Sequence, residues 1–218
     1  MTSPAHGGGP SEVLVIAKAP VAGRVKTRLC PPLTFDQAAG LAEAALVDTL
    51  EAVAGSRSAR RTLVLDGEPG PWLIPGFRVV PQWDGGLDVR LAAAFDHAEG
   101  PALLVGMDTP QVTPGLLDAC LDLLAGPAVD AVLGLAEDGG WWAIGLRRAD
   151  PRVFLGVPMS TSTTGRAQWA RLRRLGLRCA ALPKLRDVDR FDDAVAVAAR
   201  VPGSRFARVL TGVHAGRA

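Results

Sequence analysis

Residues 13–32 read VLVIAKAPVAGRVKTRLCPP, and the fold turns on how this stretch is read. The first five residues, Val13 through Ala17, are apolar and mostly β-branched, too apolar for a strand with one wet face. Four cations then fall within eleven residues, Lys18, Arg24, Lys26 and Arg28, around a single glycine, Gly23. Open α/β sheets bind ligands beyond the carboxyl ends of their strands. A buried strand that runs into a cationic loop is therefore a candidate ligand loop on a parallel sheet.

The rest of the chain repeats the alternation. Residues 34–54 carry alanine and leucine at helical spacing and open on Thr34 and Gln37, a capping-box pair. Residues 62–67 and 77–82 read as strands, and 86–98 as a helix. Residues 102–110, ALLVGMDTP, form an apolar strand that stops at Asp108. A helix follows over 113–124, with Pro114 in its first turn. Residues 130–148 read as strand, glycine turn, strand. A helix is expected over 160–175, ending at Gly176, then a short strand over 178–183 and helices over 191–200 and 204–210. Strands alternating with helices predict an α/β fold whose sheet is mostly parallel and covered on both faces. The 130–148 hairpin makes the sheet mixed.

The totals set outer bounds. The 218 residues are 48% hydrophobic and 21% charged, an ordinary globular composition. One domain is expected over 12–211, with a disordered leader over 1–11 and a tail over 212–218. A net charge of +2 gives no general case for nucleic acid. Cys30, Cys120 and Cys179 are few, odd in number and widely spaced, which points to reduced thiols and a cytoplasmic setting. No apolar run reaches the about 18 residues that span a bilayer. The assembly state, a homodimer included, stays open.

Five segments carry candidate chemistry, and each also has an ordinary structural explanation. In an extended segment Arg24, Lys26 and Arg28 would share one face. Two cations about 7 Å apart repel by about 2 kcal/mol at an effective dielectric of ~20. The set is therefore either well solvated or matched to an anion, and a diphosphate suits guanidinium forks. Asp108 at a strand end either caps a turn or holds Mg²⁺ or Mn²⁺ against phosphate oxygens. EDGGWWAIGL, residues 137–146, is either a hairpin turn before core tryptophans or a ligand site. In the second case Gly139 and Gly140 admit the ligand, Asp138 meets its hydroxyls, and a ring such as Trp141 stacks on it. Asp187, Asp189, Asp192 and Asp193 cluster around the start of the helix over 191–200, where acidic residues favour the positive helix end. Asp187 is the least explained by that and would serve as a second carboxylate for the ion. Ser160 and Thr161 open a hydroxyl-rich run, either a cap region or donors to an acceptor substrate.

AKAPVAGRVKTRL, GMDTPQVTPGLLDA, DGGWWAIGL, GVPMSTSTTGRAQWARLRRLGL and DVDRFDDA together resemble the DUF2064 family, in order and roughly in spacing. Its members are also called radical-SAM/selenodomain-associated transferase 1, or arsenosugar-biosynthesis-type glycosyltransferases. The resemblance spans about residues 13–194. It implies a Rossmann-like GT-A (nucleotide-diphospho-sugar transferase) fold. By matched position it implies Lys18, Gly23, Arg24, Lys26 and Arg28 at nucleotide phosphates, and Asp108 with Asp187 or Asp189 at the divalent ion. QWDGGLDVRL, residues 82–91, departs from the family pattern, with Gly86 and Asp88 standing where Asp and Gly are expected. Arg90 is retained.

The expected activity is metal-dependent transfer from a nucleotide-activated donor to a small-molecule acceptor. Glycosyl transfer from a nucleotide sugar comes first, and nucleotidyl transfer from an NTP is the alternative. Asp138 is the candidate catalytic carboxylate. A non-catalytic nucleotide-binding protein is the rival from another class.

Overall fold

A computed structural model describes residues 9–96 and 98–215, the last two as backbone only. Seven strands form one sheet in the order β3-β2-β1-β4-β6-β5-β7. They are β1 (Glu12–Lys18), β2 (Arg60–Asp66), β3 (Arg78–Pro81), β4 (Ala102–Gly106), β5 (Ala131–Leu135), β6 (Trp141–Leu146) and β7 (Cys179–Ala181). β1 pairs in parallel with β2 and β4, β2 with β3, and β5 with β7. Only β6 runs antiparallel, between β4 and β5. The β5–β6 connection is a tight turn, too short for the crossover that a parallel pair needs.

The described residues form six α-helices: α1 (Phe35–Ala54), α2 (Leu87–Phe95), α3 (Pro114–Ala125), α4 (Thr164–Arg174), α5 (Phe191–Arg200) and α6 (Arg205–Ala215). The chain steps from β1 to β2 through α1, then crosses back over β1 from β3 to β4 through α2. Right-handed crossovers in opposite directions put their helices on opposite faces. The side chains agree. Val13, Val15 and Ala17 pack with Leu46 and Leu50 of α1 and with α3. Leu14 packs with Leu91 and Phe95 of α2 and with Leu172 of α4. The reversal of strand order at β1 opens a crevice beyond the carboxyl ends of β1 and β4, the usual ligand position in such sheets.

α1 is the most enclosed helix. Its Thr34 Oγ1 accepts from the Gln37 N–H at 3.2 Å, and Gln37 Oε1 accepts from the Thr34 N–H at 2.9 Å, so the expected capping box forms. One side faces the sheet. Another meets α5 and α6 through Leu41, Ala45, Ala194, Val197, Phe206 and Leu210. Its alanines are explained by this double burial, since small side chains let two layers approach. Asp48 of α1 caps α6, accepting from the N–H groups of Arg205 at 3.1 Å and Phe206 at 2.8 Å.

Some boundaries differ from expectation. The helix expected from residue 160 starts at Thr164, because Ser160 has φ +57° and the chain turns there instead of coiling. α2 stops at Phe95, and α6 continues to Ala215. The leader expected over 1–11 falls mostly on residues 1–8, outside those described. Of the tail expected over 212–218, residues 216–218 also lie outside.

Candidate functional site

β1 ends at Lys18, and its carboxyl end is held next to that of β2. The Ala19 N–H donates to the Asp66 carbonyl at 2.8 Å, and Lys18 Nζ lies 3.9 Å from the Asp66 carboxylate. The chain then turns through Gly23 at φ +75°, a conformation that a side chain would strain. Lys26 is also left-handed, at φ 49°, and Thr27–Leu29 forms a short 3-10 turn. The segment is therefore not extended, and Arg24, Lys26 and Arg28 do not share a strand face. The turn sends them to different partners. Lys26, its side chain only 12% exposed, lies 2.8 Å from Asp108 Oδ1 and donates to the Val188 carbonyl. Arg28 Nη1 meets Asp189 Oδ2 at 3.0 Å. Arg24 points into the same cavity without a carboxylate partner among the described residues.

Asp108 follows β4 at the other lip of the crevice. Its carbonyl accepts from the Val188 N–H at 2.9 Å. This bond ties the late acidic segment to the end of β4 and brings Asp187 and Asp189 alongside. The Asp187 carboxyl is pushed up to about 6, first by burial and then by the charge of Asp138; Lys26 opposes and Asp108 adds to the rise. Three carboxylates thus converge where one of them already resists ionising.

These groups line one cavity of about 830 Å³. Lys18, Arg24, Lys26, Arg28 and Arg90 line it, together with Asp108, Asp138 and Asp187. Asp189, Gly140, Trp141, Ser160 and Thr161 also line it. Gly23 and Gly139 shape the adjoining backbone without lining it. Asp138 sits in the β5–β6 turn, where its Oδ1 accepts from the Gly140 N–H at 2.7 Å. Gly139 has φ +95°, and a Cβ there would collide with the Ser162 carbonyl. The segment is thus a hairpin turn, and Asp138 and Gly140 in it line the cavity.

Both tryptophans line the cavity, but they differ in burial. Trp142 is core, with its Nε1 donating to the Pro183 carbonyl at 2.9 Å and its ring over Gly134. Trp141 lines the cavity, and its Nε1 is buried without a partner. A buried N–H left unpaired is costly and suits a ligand acceptor. Ser160 and Thr161 do line the cavity, but from a loop before α4 and not from the first helical turn. Thr161 is also engaged locally, its N–H donating to Thr164 Oγ1 at 3.0 Å.

Arg90 is anchored by Asp66 at 3.2 Å, by Gln82 Oε1 at 3.3 Å and by the Gly85 carbonyl at 3.0 Å. Gln82 was not singled out from the sequence. It lines the cavity and donates to the Ala17 carbonyl at 2.7 Å, bridging β3 to β1. Its position at the end of β3 is the signal that could have found it. Asp88, displaced relative to the family pattern, turns away and accepts from the Gly156 N–H at 2.9 Å.

Among the described residues no three carboxylate, histidine or thiol groups cage an ion. Mg²⁺ and Mn²⁺ do not require a cage, since one or two carboxylates plus donor phosphates and water complete their shell. Asp108 and Asp187 fit that pattern. Asp108 is shared with Lys26, whereas Asp189 is committed to Arg28.

No curated protein matches the chain. Solved structures do. A Desulfovibrio desulfuricans G20 protein, provisionally named a nucleotide-diphospho-sugar transferase, is 28% identical with a TM-score of 0.83, over 94% of this chain and 95% of that one. Rv0371C of Mycobacterium tuberculosis H37Rv, solved with manganese, is 21% identical with a TM-score of 0.51, over 87% of this chain and 98% of that one. A nucleotidyl transferase of Methanothermobacter thermautotrophicus is 17% identical with a TM-score of 0.54, over 92% of this chain and 99% of that one. These likenesses establish the Rossmann-like fold of the nucleotide-diphospho-sugar transferases. The pattern of DUF2064, described as uncharacterized proteins conserved in bacteria, matches residues 42–161. More than half of the chain lies inside that match, and the chain belongs to the DUF2064 family.

Proposed function

We propose that this protein is a divalent-metal-dependent transferase that takes a nucleotide-activated donor, with glycosyl transfer from a nucleotide sugar as the reaction. The observation that carries the reading is the shared cavity at the β1/β4 crevice. Five cations and four carboxylates line one space there, as a diphosphate and its cation require. Lys18, Arg24, Lys26 and Arg28 would bind the phosphates. Arg90, fixed by Asp66 and Gln82, would hold the nucleoside side of the donor.

Asp108 and Asp187 would hold Mg²⁺ or Mn²⁺, and the bound ion would supply charge neutralisation at the leaving diphosphate. Lys26 already neutralises Asp108, so phosphate, ion and ammonium would share one charge network. Asp138 sits in the β5–β6 turn, its carboxylate accepting from the Gly140 N–H. It would orient an acceptor hydroxyl and receive its proton. Trp141, Ser160 and Thr161 flank it and would contact the acceptor. The fold shared with a nucleotidyl transferase keeps a second reading, in which pyrophosphate leaves and the nucleotidyl group is transferred. The same cations and carboxylates would serve that reaction.

The test is a thermal-shift screen of nucleotide sugars and NTPs, each with and without Mn²⁺, followed by product analysis. A ligand at 100 times its Kd adds about 2.7 kcal/mol. A metal-dependent shift with one nucleotide sugar and release of a nucleoside diphosphate is expected. Pyrophosphate release would move the reading to nucleotidyl transfer. In Asp108→Asn the metal dependence should disappear. If its turnover kept that dependence, the metal role would fall; nucleotide binding that never depends on metal, without turnover, would make the protein a binding module.

A further inference from the structure

A second cavity, of about 680 Å³, opens beside the first. That is an ordinary volume for a small-molecule site. The two share Gly140 and Ser162 as lining residues. The partition between them is backbone. The Gly165 N–H donates to the Gly139 carbonyl at 2.8 Å, and a Cβ on Gly165 would press on the Gly140 carbonyl and on Leu135. Glycine at these positions makes the wall as thin as a polypeptide allows.

One side of the second cavity is α4. Arg166, Trp169, Ala170 and Arg173 recur at helical spacing on one face, while Gln168 and Leu172 on the other are buried. Leu135, 38% exposed, and Ala181 supply the opposite apolar wall, with Lys184 at the rim. The charge is one-sided. Arg166, Arg173 and Lys184 line the cavity, and no carboxylate does. None of the three makes an ion pair among the described residues, although ion pairs are frequent elsewhere on this surface. Glu137, two residues from Leu135, is engaged by Arg186 and Arg200 instead. A half-buried indole beside three unmatched cations, with no counter-charge, is complementary to a molecule that is apolar and anionic at once.

We propose that the second cavity binds a small amphipathic anion, its apolar body against Trp169 and Leu135 and its carboxylate, phosphate or sulfonate among Arg166, Arg173 and Lys184. The site stands whether or not the transferase reading does, since the hydrogen-bonded backbone at Gly139 and Gly165 separates it from Asp138.

The test needs neither donor nor metal, so its failure is distinct from failure of the transferase reading. Anilinonaphthalene sulfonate and its uncharged parent, phenylnaphthylamine, are titrated against the full chain by fluorescence. The sulfonate should bind saturably at one site and more tightly than the parent. Combining Arg166→Gln, Arg173→Gln and Lys184→Gln, all on exposed side chains, should weaken the sulfonate by about tenfold and leave the parent unchanged. Trp169→Leu should weaken both. Equal sulfonate affinity in the triple variant overturns the proposal, and so does parent binding as tight as the sulfonate. Co-sedimentation with phosphatidylglycerol vesicles, lost in the triple variant, would make this face a membrane contact and likewise overturn it.

Discussion

At the scale of single residues, the charge balance of the crevice decides most. Asp187 is raised to about 6 by burial and by its acidic neighbours, so its ionised form costs the folded state stability. For a carboxyl with a raised folded value, that cost is present above pH about 6 and fades as the pH falls toward the unfolded value. Asp187→Asn should therefore raise the Tm of the metal-free protein at pH 8. Each kcal/mol is about 2–4 °C for a chain of this length. The same variant should lose most of the stabilisation that Mn²⁺ gives the wild type, which differential scanning calorimetry with and without the ion will read. Asp108 and the four cations were legible because each breaks a local rule: charge at the end of an apolar strand, or like charges crowded together. Gln82 and Asp66 break none. Their part comes from strand order alone, which sets Asp66 beside β1 and brings Gln82, one strand further out, within reach of the Ala17 carbonyl.

At the scale of elements, Thr34 is the clearest lever. Its capping box starts α1, which is buried on two sides, so fraying cannot be absorbed by solvent. Thr34→Ala should cost about 1 kcal/mol in urea denaturation. At the opposite edge Asp130 grips Arg178 at 2.7 and 2.8 Å, clamping β5 to the start of β7. The Arg178 guanidinium holds the Asp130 carboxyl down at about 2. A depressed carboxyl contributes stability above its unfolded value, and that contribution is lost as the pH falls through the folded one. Asp130→Asn should therefore lower Tm at pH 7 and leave it nearly unchanged at pH 2, a difference that thermal melts across that range will show. Helix and strand identities followed from periodicity, and the capping box at Thr34 and Pro114 in a first turn marked two starts. The start of α4 did not follow, because a Ser/Thr run suits a cap and a loop equally. Only the left-handed Ser160 decides between them.

At the scale of the whole molecule, two large hydrophobic clusters lie on opposite faces of one sheet, and α1 joins the first to a third. No cluster can be exposed without stripping an element that another one needs. Thermal unfolding should thus be a single transition, with the midpoints of far-ultraviolet circular dichroism and tryptophan fluorescence coinciding. Separate midpoints would mean that α5 and α6 leave first. The α/β class was legible from alternation, and the mixed sheet from the 130–148 hairpin. The convergence of residues 18–28 with residues 187–189 was not, since sequence distance carries no hint of the bond between Val188 and Asp108.

That bond has a consequence for the newborn chain. Translation delivers β1, the cationic loop and Asp108 early, while Val188 and its flanking carboxylates are still unmade. Until they emerge, Lys26 lacks the Val188 carbonyl and Arg28 lacks Asp189. Asp66 and Asp108 can already meet Lys18 and Lys26, but Arg28 has no counter-charge and the loop lacks its late anchor. A chain ending before residue 187 should therefore hold residues 23–28 more loosely than the full chain, with faster amide exchange there.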